Sequence, residues 1–254
     1  MKFKDSPDAQ PQPAGFVPLI SGWSPIHSCV LLIAATILCL VPFSGVAFRI
    51  DEPLFVWAAK QITVRPLDPY GFKLIWYTSE MPMSDVAKNP PLASYFIAVV
   101  GSLAGWSERA LHIAFLLPAL GVVLGTYRLA RRYCSIPLLA AAVTLLNPCF
   151  LVSADSVMCD VMMLAVWIPA VMLWVEGLDP AKPLLLVTSA LMVAVCALTK
   201  YFGMALIPLL FVYSLARQRR LGVWAFYLLI PVFILFGYQM WTQATFGRGL
   251  LLDA

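Results

Sequence analysis

Apolar stretches alternate with short polar ones along nearly the whole chain, and one polar interval is far longer than the others. Residues 28–48 stay apolar for about 21 positions, which at roughly 1.5 Å per residue crosses about 30 Å of hydrocarbon. The long polar interval follows over residues 49–92, RIDEPLFVWAAKQITVRPLDPYGFKLIWYTSEMPMSDVAKNPPL. Apolar sequence returns over 92–106, but for only about 15 residues or on the order of 22 Å, which is short for a crossing. Further apolar runs cover 109–127, 136–152, 157–175, 184–198, 202–215 and 221–241. The pattern predicts an all-α polytopic membrane protein with about seven transmembrane helices and a long first extracytoplasmic loop carrying juxtamembrane helices.

Charge sets the expected orientation. Arg128, Arg131 and Arg132 follow the 109–127 run, Lys182 precedes 184–198, and Arg217, Arg219 and Arg220 follow 202–215. An excess of Lys and Arg marks cytoplasmic turns, so the 49–92 loop, Asp155 and Lys200 are expected outside. The 92–106 segment must then begin and end outside, as a juxtamembrane helix or re-entrant turn. Residues 1–27 lack periodicity and are read as a disordered cytoplasmic tail, 28–242 as the transmembrane module with 49–108 as its outer loop and juxtamembrane segment, and 243–254 as an extracytoplasmic end. No small-residue cleavage site follows the first apolar run, so it is expected to be retained. Pro42, Pro118, Pro169, Pro208 and Pro231 fall within spans, where they are expected to kink helices.

Composition agrees with a chain whose solvent is the bilayer: 61% of residues are hydrophobic, 12% charged, and mean hydropathy is +0.86. The formal charge of +4 is spread over short clusters between apolar runs, which argues against a nucleic-acid partner. Six cysteines, Cys29, Cys39, Cys134, Cys149, Cys159 and Cys196, form no C-x-x-C pair and read as small core residues. His27 and His112 give no ligand cluster, so no metal or other cofactor is expected, although a divalent metal stays open.

Candidate chemistry gathers on the outer side. Asp51 and Glu52 are adjacent just past the first span, so one carboxylate can face a pocket while its neighbour holds loop backbone; a solvated helix terminus is the bland alternative. Asp155 and Asp160 flank the next outer turn. On one helix they would stand about 140° apart, so only one would face inward, and Asp160, inside an apolar run, is the better candidate. Lys200 on the outer side runs against the charge bias, which points to an anionic partner or to snorkelling. Glu108 and Arg109 are adjacent and so serve different partners, which favours a structural role for them.

An Asp-Glu at the start of a long first loop, the Asn89-Pro90-Pro91-Leu92 junction, an outer-turn Asp160 and the Thr199-Lys200 pair occur in an order and on a side that resemble the GT-C membrane glycosyltransferases. The resemblance is to the branch containing the protein O-mannosyltransferases and lipid A aminoarabinose transferases, glycosyltransferase family 39-like, and it covers about residues 28–241. It implies Asp51 as catalytic base with Glu52 beside it, Asp160 as the outer-turn Asp, and Lys88, Asn89, Pro90, Arg109, Asp155 and Lys200 around the substrate. Asn89 departs from the family pattern, which has a basic residue there, so Lys88 is the expected substitute.

The implied reaction moves a sugar, with inversion, from a polyprenyl phosphate donor to a hydroxyl on a lipid, glycan or protein acceptor. It implies an integral multi-pass protein of a bacterial-type inner or plasma membrane whose site faces outward. Relatives continue through further spans, so the resemblance also implies that this chain is the amino-terminal module and incomplete as a transferase. Two other readings remain open from the residues: a small transporter or flippase with Asp160 and Lys200 along a path, and a non-catalytic remnant.

Overall fold

A computed structural model describes residues 24–87, 89–179 and 182–253. The tail over 1–23 and the role expected of Lys88 lie outside the described residues. Ser24 caps α1 (Pro25–Leu40) by accepting the His27 N–H at 3.3 Å, and Pro25 has the fixed φ suited to a first helical position. The first helix thus starts at Pro25 rather than at 28, and His27 belongs to its first turn. A 3₁₀ turn, Val41–Phe43, ends it around Pro42.

The first loop is ordered. It contains α2 (Glu52–Val64), strands β1 (Lys73–Trp76) and β2 (Ser79–Pro82), and α3 (Met83–Val86). The strands pair antiparallel with Lys73 opposite Pro82 and Trp76 opposite Ser79. This hairpin is the one β element among the described residues of an otherwise helical chain. Next, α4 (Leu92–Ala104) ends at Gly105, whose φ of 92° few other residues adopt. Ser107 then caps α5 (Glu108–Tyr133) by accepting the Ala110 N–H at 3.3 Å.

The expected run 136–152 is not one straight helix. It is α6 (Pro137–Leu145) and α7 (Pro148–Ala154), bent by 63°. Asn147 accepts the Cys149 and Phe150 N–H groups and so begins a new helix, while Pro148 lacks the N–H that would continue the old one. The rest is α8 (Cys159–Leu178), α9 (Pro183–Thr199), a 3₁₀ turn Tyr201–Ala205, α10 (Leu206–Gln218), α11 (Trp224–Tyr227) and α12 (Leu229–Phe246). Only Pro118 and Pro169 lie in helix interiors. Pro208 and Pro231 sit in the first turns of α10 and α12, where no intrahelical N–H is needed, so they start helices rather than kink them.

Five segments are long and apolar enough to cross a bilayer: Pro25–Phe43, Glu108–Tyr133, Cys159–Leu178, Tyr201–Gln218 and Trp224–Phe246. The bent α6–α7 pair qualifies as a sixth, and Pro183–Thr199 is shorter. The protein is therefore an α-helical, multi-pass membrane protein, and the expected seven crossings require both the bent pair and the short α9.

Helix α8 is the central post, packed against α5 and α9, while α2 packs on α4 and α12 on α9. Buried Trp174 donates to Ser214 Oγ at 2.7 Å, joining α8 to α10, and Ser189 donates to the Ala170 carbonyl at 2.6 Å, joining α9 to α8. Ion pairs separate the two poles of the bundle. At one, Arg132 meets Glu176 at 3.3 Å and Arg217 meets Asp179 at 3.0 Å. At the other lie the first loop, the Arg49–Asp155 pair and the Lys200–Asp160 pair. Cys159 and Cys196 are buried, whereas Cys134 and Cys149 are exposed, so those last two are not core residues.

Candidate active site

Asp51 is the N-cap of α2, yet its side chain makes no capping hydrogen bond. Asp51 is instead one of the residues that line a cavity of about 270 Å³ beneath the hairpin. Leu54 and Phe55 of α2 and Ser94 of α4 form one side, Trp76 and Tyr77 of the hairpin another, with Tyr70, Met83, Val86, Ala87, Asn89 and Met158 completing it. Apolar and aromatic walls around a few polar groups are the usual make-up of a small-molecule site.

The adjacent carboxylate faces away. Glu52 is fully buried, and its Oε2 accepts the Arg49 N–H at 3.2 Å. The same oxygen lies 3.9 Å from His112 Nε2, whose other ring nitrogen is 2.7 Å from the Glu108 carbonyl. Phe48 stacks on the His112 ring at 5.9 Å. Glu52 Oε1 is buried with no hydrogen-bond partner among the described residues. This carboxylate fastens the turn that presents Asp51 and does not line the cavity.

Asn89 contributes through both backbone and side chain. Its carbonyl accepts the Tyr70 hydroxyl at 2.8 Å, and its side-chain Oδ1 is shielded from solvent with no partner among the described residues. Burial, with help from Tyr238, Cys159 and Tyr95, pushes the Tyr70 hydroxyl well above its ordinary value, so it stays a neutral donor to that carbonyl. An unpaired buried amide oxygen in a cavity wall is a group waiting for a donor.

Asp155 and Asp160 do not share a helix. Asp155 is the C-cap of α7 and meets Arg49 at 2.9 Å, while that guanidinium also donates to the Val152 carbonyl at 2.9 Å. Burial raises the Asp155 carboxyl above its ordinary value although Arg49 pulls it down. Asp160 opens α8 and pairs with Lys200 at the end of α9. Burial alone would lower the Lys200 amine, but the hydrogen bond and charge of Asp160 outweigh it and hold the amine above its ordinary value. The anionic partner expected for Lys200 is thus an internal carboxylate. Neither residue lines the cavity; their neighbour Met158 does. Pro90 is buried beside Asn89, and Arg109 is exposed in the first turn of α5, outside the cavity lining.

Arg248 is a contributor that sequence reasoning missed. It pairs with Asp85 and donates to the Ser84 carbonyl at 2.8 Å, and it also meets Asp253 at 3.0 Å. Leu250 enters a buried cluster with Ala58, Tyr70 and Met83. The chain beyond α12 therefore packs against the residues that roof the cavity. The one available signal was parity: after the last span the chain is back on the pole of the first loop. Among the described residues no group of three or more His, Cys, Asp or Glu is placed to hold a metal ion.

The fold is thus a multi-pass helical bundle with a cavity at one pole under its own first loop. The sequence profile of the dolichyl-phosphate-mannose-protein mannosyltransferases matches residues 88–241, and the chain belongs to that family, within the GT-C membrane glycosyltransferases. The matched stretch includes Asn89, Arg109, Asp155, Asp160 and Lys200 and begins after Asp51 and Glu52. No curated protein and no solved structure matches the chain.

Proposed function

We propose that the chain carries an inverting glycosyl-transfer site in which Asp51 is the general base. An acceptor hydroxyl attacks the anomeric carbon of a polyprenyl phosphate sugar from the face opposite the phosphate. The C–O bond to phosphate breaks as the new glycosidic bond forms, the hydroxyl proton passes to Asp51, and lipid phosphate leaves with the electron pair. Phosphate is already a good leaving group, so one base and cationic or hydrogen-bonding support for the phosphate suffice. The single observation that carries this reading is an uncapped carboxylate facing a sugar-sized cavity in a membrane glycosyltransferase family.

Asn89 Oδ1 is a ready acceptor for a sugar hydroxyl. Lys88, its neighbour in sequence, is the cation we assign to the donor phosphate, with Arg109 as a second. Glu52, Asp155, Asp160 and Lys200 hold the turns that present Asp51 and Met158 and act as positioning residues. The site faces outward on a plasma-type membrane, because the Arg-rich pole is the cytoplasmic one.

Asp51→Asn preserves shape and removes proton acceptance. Turnover should fall by roughly 10²-fold or more, since general-base catalysis contributes about 10² to 10⁴, while donor affinity stays near that of the parent. Turnover and donor binding are measured separately in the active assembly. Turnover within about threefold of the parent would move the base elsewhere, and joint loss of binding and turnover would make Asp51 structural.

A further inference from the structure

At the pole opposite the first loop, the last turn of α5, the end of α8 and the start of α9 surround an open basin of about 490 Å³. Arg128, Arg131, Arg132 and Lys182 line it together with two carboxylates, Glu176 and Asp179. Both carboxylates are engaged: Glu176 with Arg132 at 3.3 Å, and Asp179 with Arg217 at 3.0 Å and Gln218 at 2.7 Å. Arg217 and Gln218 hold the Asp179 carboxyl below its ordinary value, so it stays ionised and paired. Arg128, Arg131 and Lys182 have no ion-pair partner among the described residues.

Beside the basin lies a second groove of about 330 Å³, along α8 between α5 and α10. Arg132 and Met172 line both spaces, so the two adjoin at these side chains. The groove is walled by Trp167, Val171, Leu209 and Tyr213, with Tyr133 near its basic end. From Trp167 to Val175 it follows roughly 12 Å of helix. Leu209 and Tyr213 are exposed on its rim, so it opens sideways, toward where acyl chains lie.

We propose that this composite is a binding site for an anionic phospholipid. The phosphate-bearing headgroup sits among Arg128, Arg131 and Lys182, and one acyl chain lies along α8 in the groove. Charge complementarity selects the headgroup: three unpaired cations beside a pair of neutralised carboxylates favour a net anion over a zwitterion. The adjoining apolar groove selects a lipid over a soluble anion, because a free phosphate would leave the groove without an occupant. The site is separate from the glycosyl-transfer cavity and does not rest on that reading. A lipid bridging α5, α8 and α10 would brace three elements whose polar links at this pole include the Arg132–Glu176 and Arg217–Asp179 pairs and the Gln218 bonds to Asp179 and the Leu178 carbonyl.

The test titrates detergent-purified full-length protein with dioleoylphosphatidylglycerol or dioleoylphosphatidylcholine and counts bound lipid by native mass spectrometry. Phosphatidylglycerol should bind about tenfold or more tightly than phosphatidylcholine, and the R128Q/R131Q/K182Q variant should lose most of that preference. R219Q/R220Q removes exposed charge from the same pole outside the basin and should stay within about twofold of the parent. Leu209→Trp fills the exposed groove and should weaken phosphatidylglycerol binding with every headgroup contact intact. Equal affinity for the two lipids, equal loss in both charge variants, or an unaffected Leu209→Trp each overturns the proposal. So does displacement of the lipid by millimolar glycerol 1-phosphate, which would define a site for a soluble anion.

Discussion

Asp51 and Glu52 are covalent neighbours with opposite surroundings, one exposed at a cavity and one fully buried against Arg49 N–H and His112. The turn into α2 makes the difference, because consecutive positions at a helix start point in different directions. Glu52→Gln keeps the acceptor for Arg49 N–H and should change stability by less than about 1 kcal/mol, whereas Glu52→Ala leaves a void and an unpaired N–H and should cost roughly 2–4 kcal/mol. Thermal unfolding in detergent measures both. The Lys200–Asp160 pair makes a second residue-scale prediction. Lys200→Met and Asp160→Asn should each destabilise, but the double variant should recover about 1–3 kcal/mol relative to their sum. Because the Asp160 partner holds the folded-state Lys200 amine above its ordinary value, its contribution is fully present below the ordinary lysine range and is lost only as pH rises through the folded value. The melting temperature should therefore show no Lys200-dependent change between about pH 6 and 9 when parent and Lys200→Met are compared. Each of these residues was visible in sequence as a candidate. Their pairings were not, since Asp160 and Lys200 meet only when α8 and α9 pack antiparallel, and Arg49 meets Asp155 only when the start of the first loop lies against the turn after α7.

Helix existence followed the apolar runs closely, and helix interruption did not. The 136–152 run reads as continuous because its composition barely changes, while the bend comes from one dipeptide, Asn147-Pro148, that ends one helix and caps the next. The β1–β2 hairpin was illegible for a related reason. Its turn uses Tyr77 at φ 57°, without the Asn-Gly or Asp-Gly that usually announces a two-residue turn, and its strands are only four residues each. The α4–α5 junction depends on Gly105 in a conformation nearly reserved for glycine. An added Cβ there meets no other atom, so the effect of Gly105→Ala isolates backbone strain. It should lower stability by about 1–3 kcal/mol, read as a shift in the apparent melting temperature. A Gly101→Ala change is different in kind, because its Cβ would lie 2.6 Å from the Trp106 ring.

At the scale of the molecule, the two poles carry different chemistry, and the charge asymmetry that predicts orientation is realised as two separate sets of ion pairs. A cysteine at Ser79, exposed on the hairpin, and one at Arg220, exposed past α10, should differ in labelling by an impermeant thiol reagent in a cysteine-free background. Outside labelling at Ser79 alone is expected; equal labelling, or labelling at Arg220 alone, would reverse the orientation. The docking of Arg248 against α3 and of Leu250 against Tyr70 and Met83 has a consequence in time. Asp85 and Arg248 are separated by 163 positions, so the chain emerges from the ribosome with the roof of its cavity unbraced, and the roof stays so through the insertion of every intervening helix. A fastened roof over the cavity is thus a product of late assembly: a nascent chain stalled before α12 should yield its first loop to proteases more readily than the finished protein does, and its digestion pattern would report how far synthesis had gone.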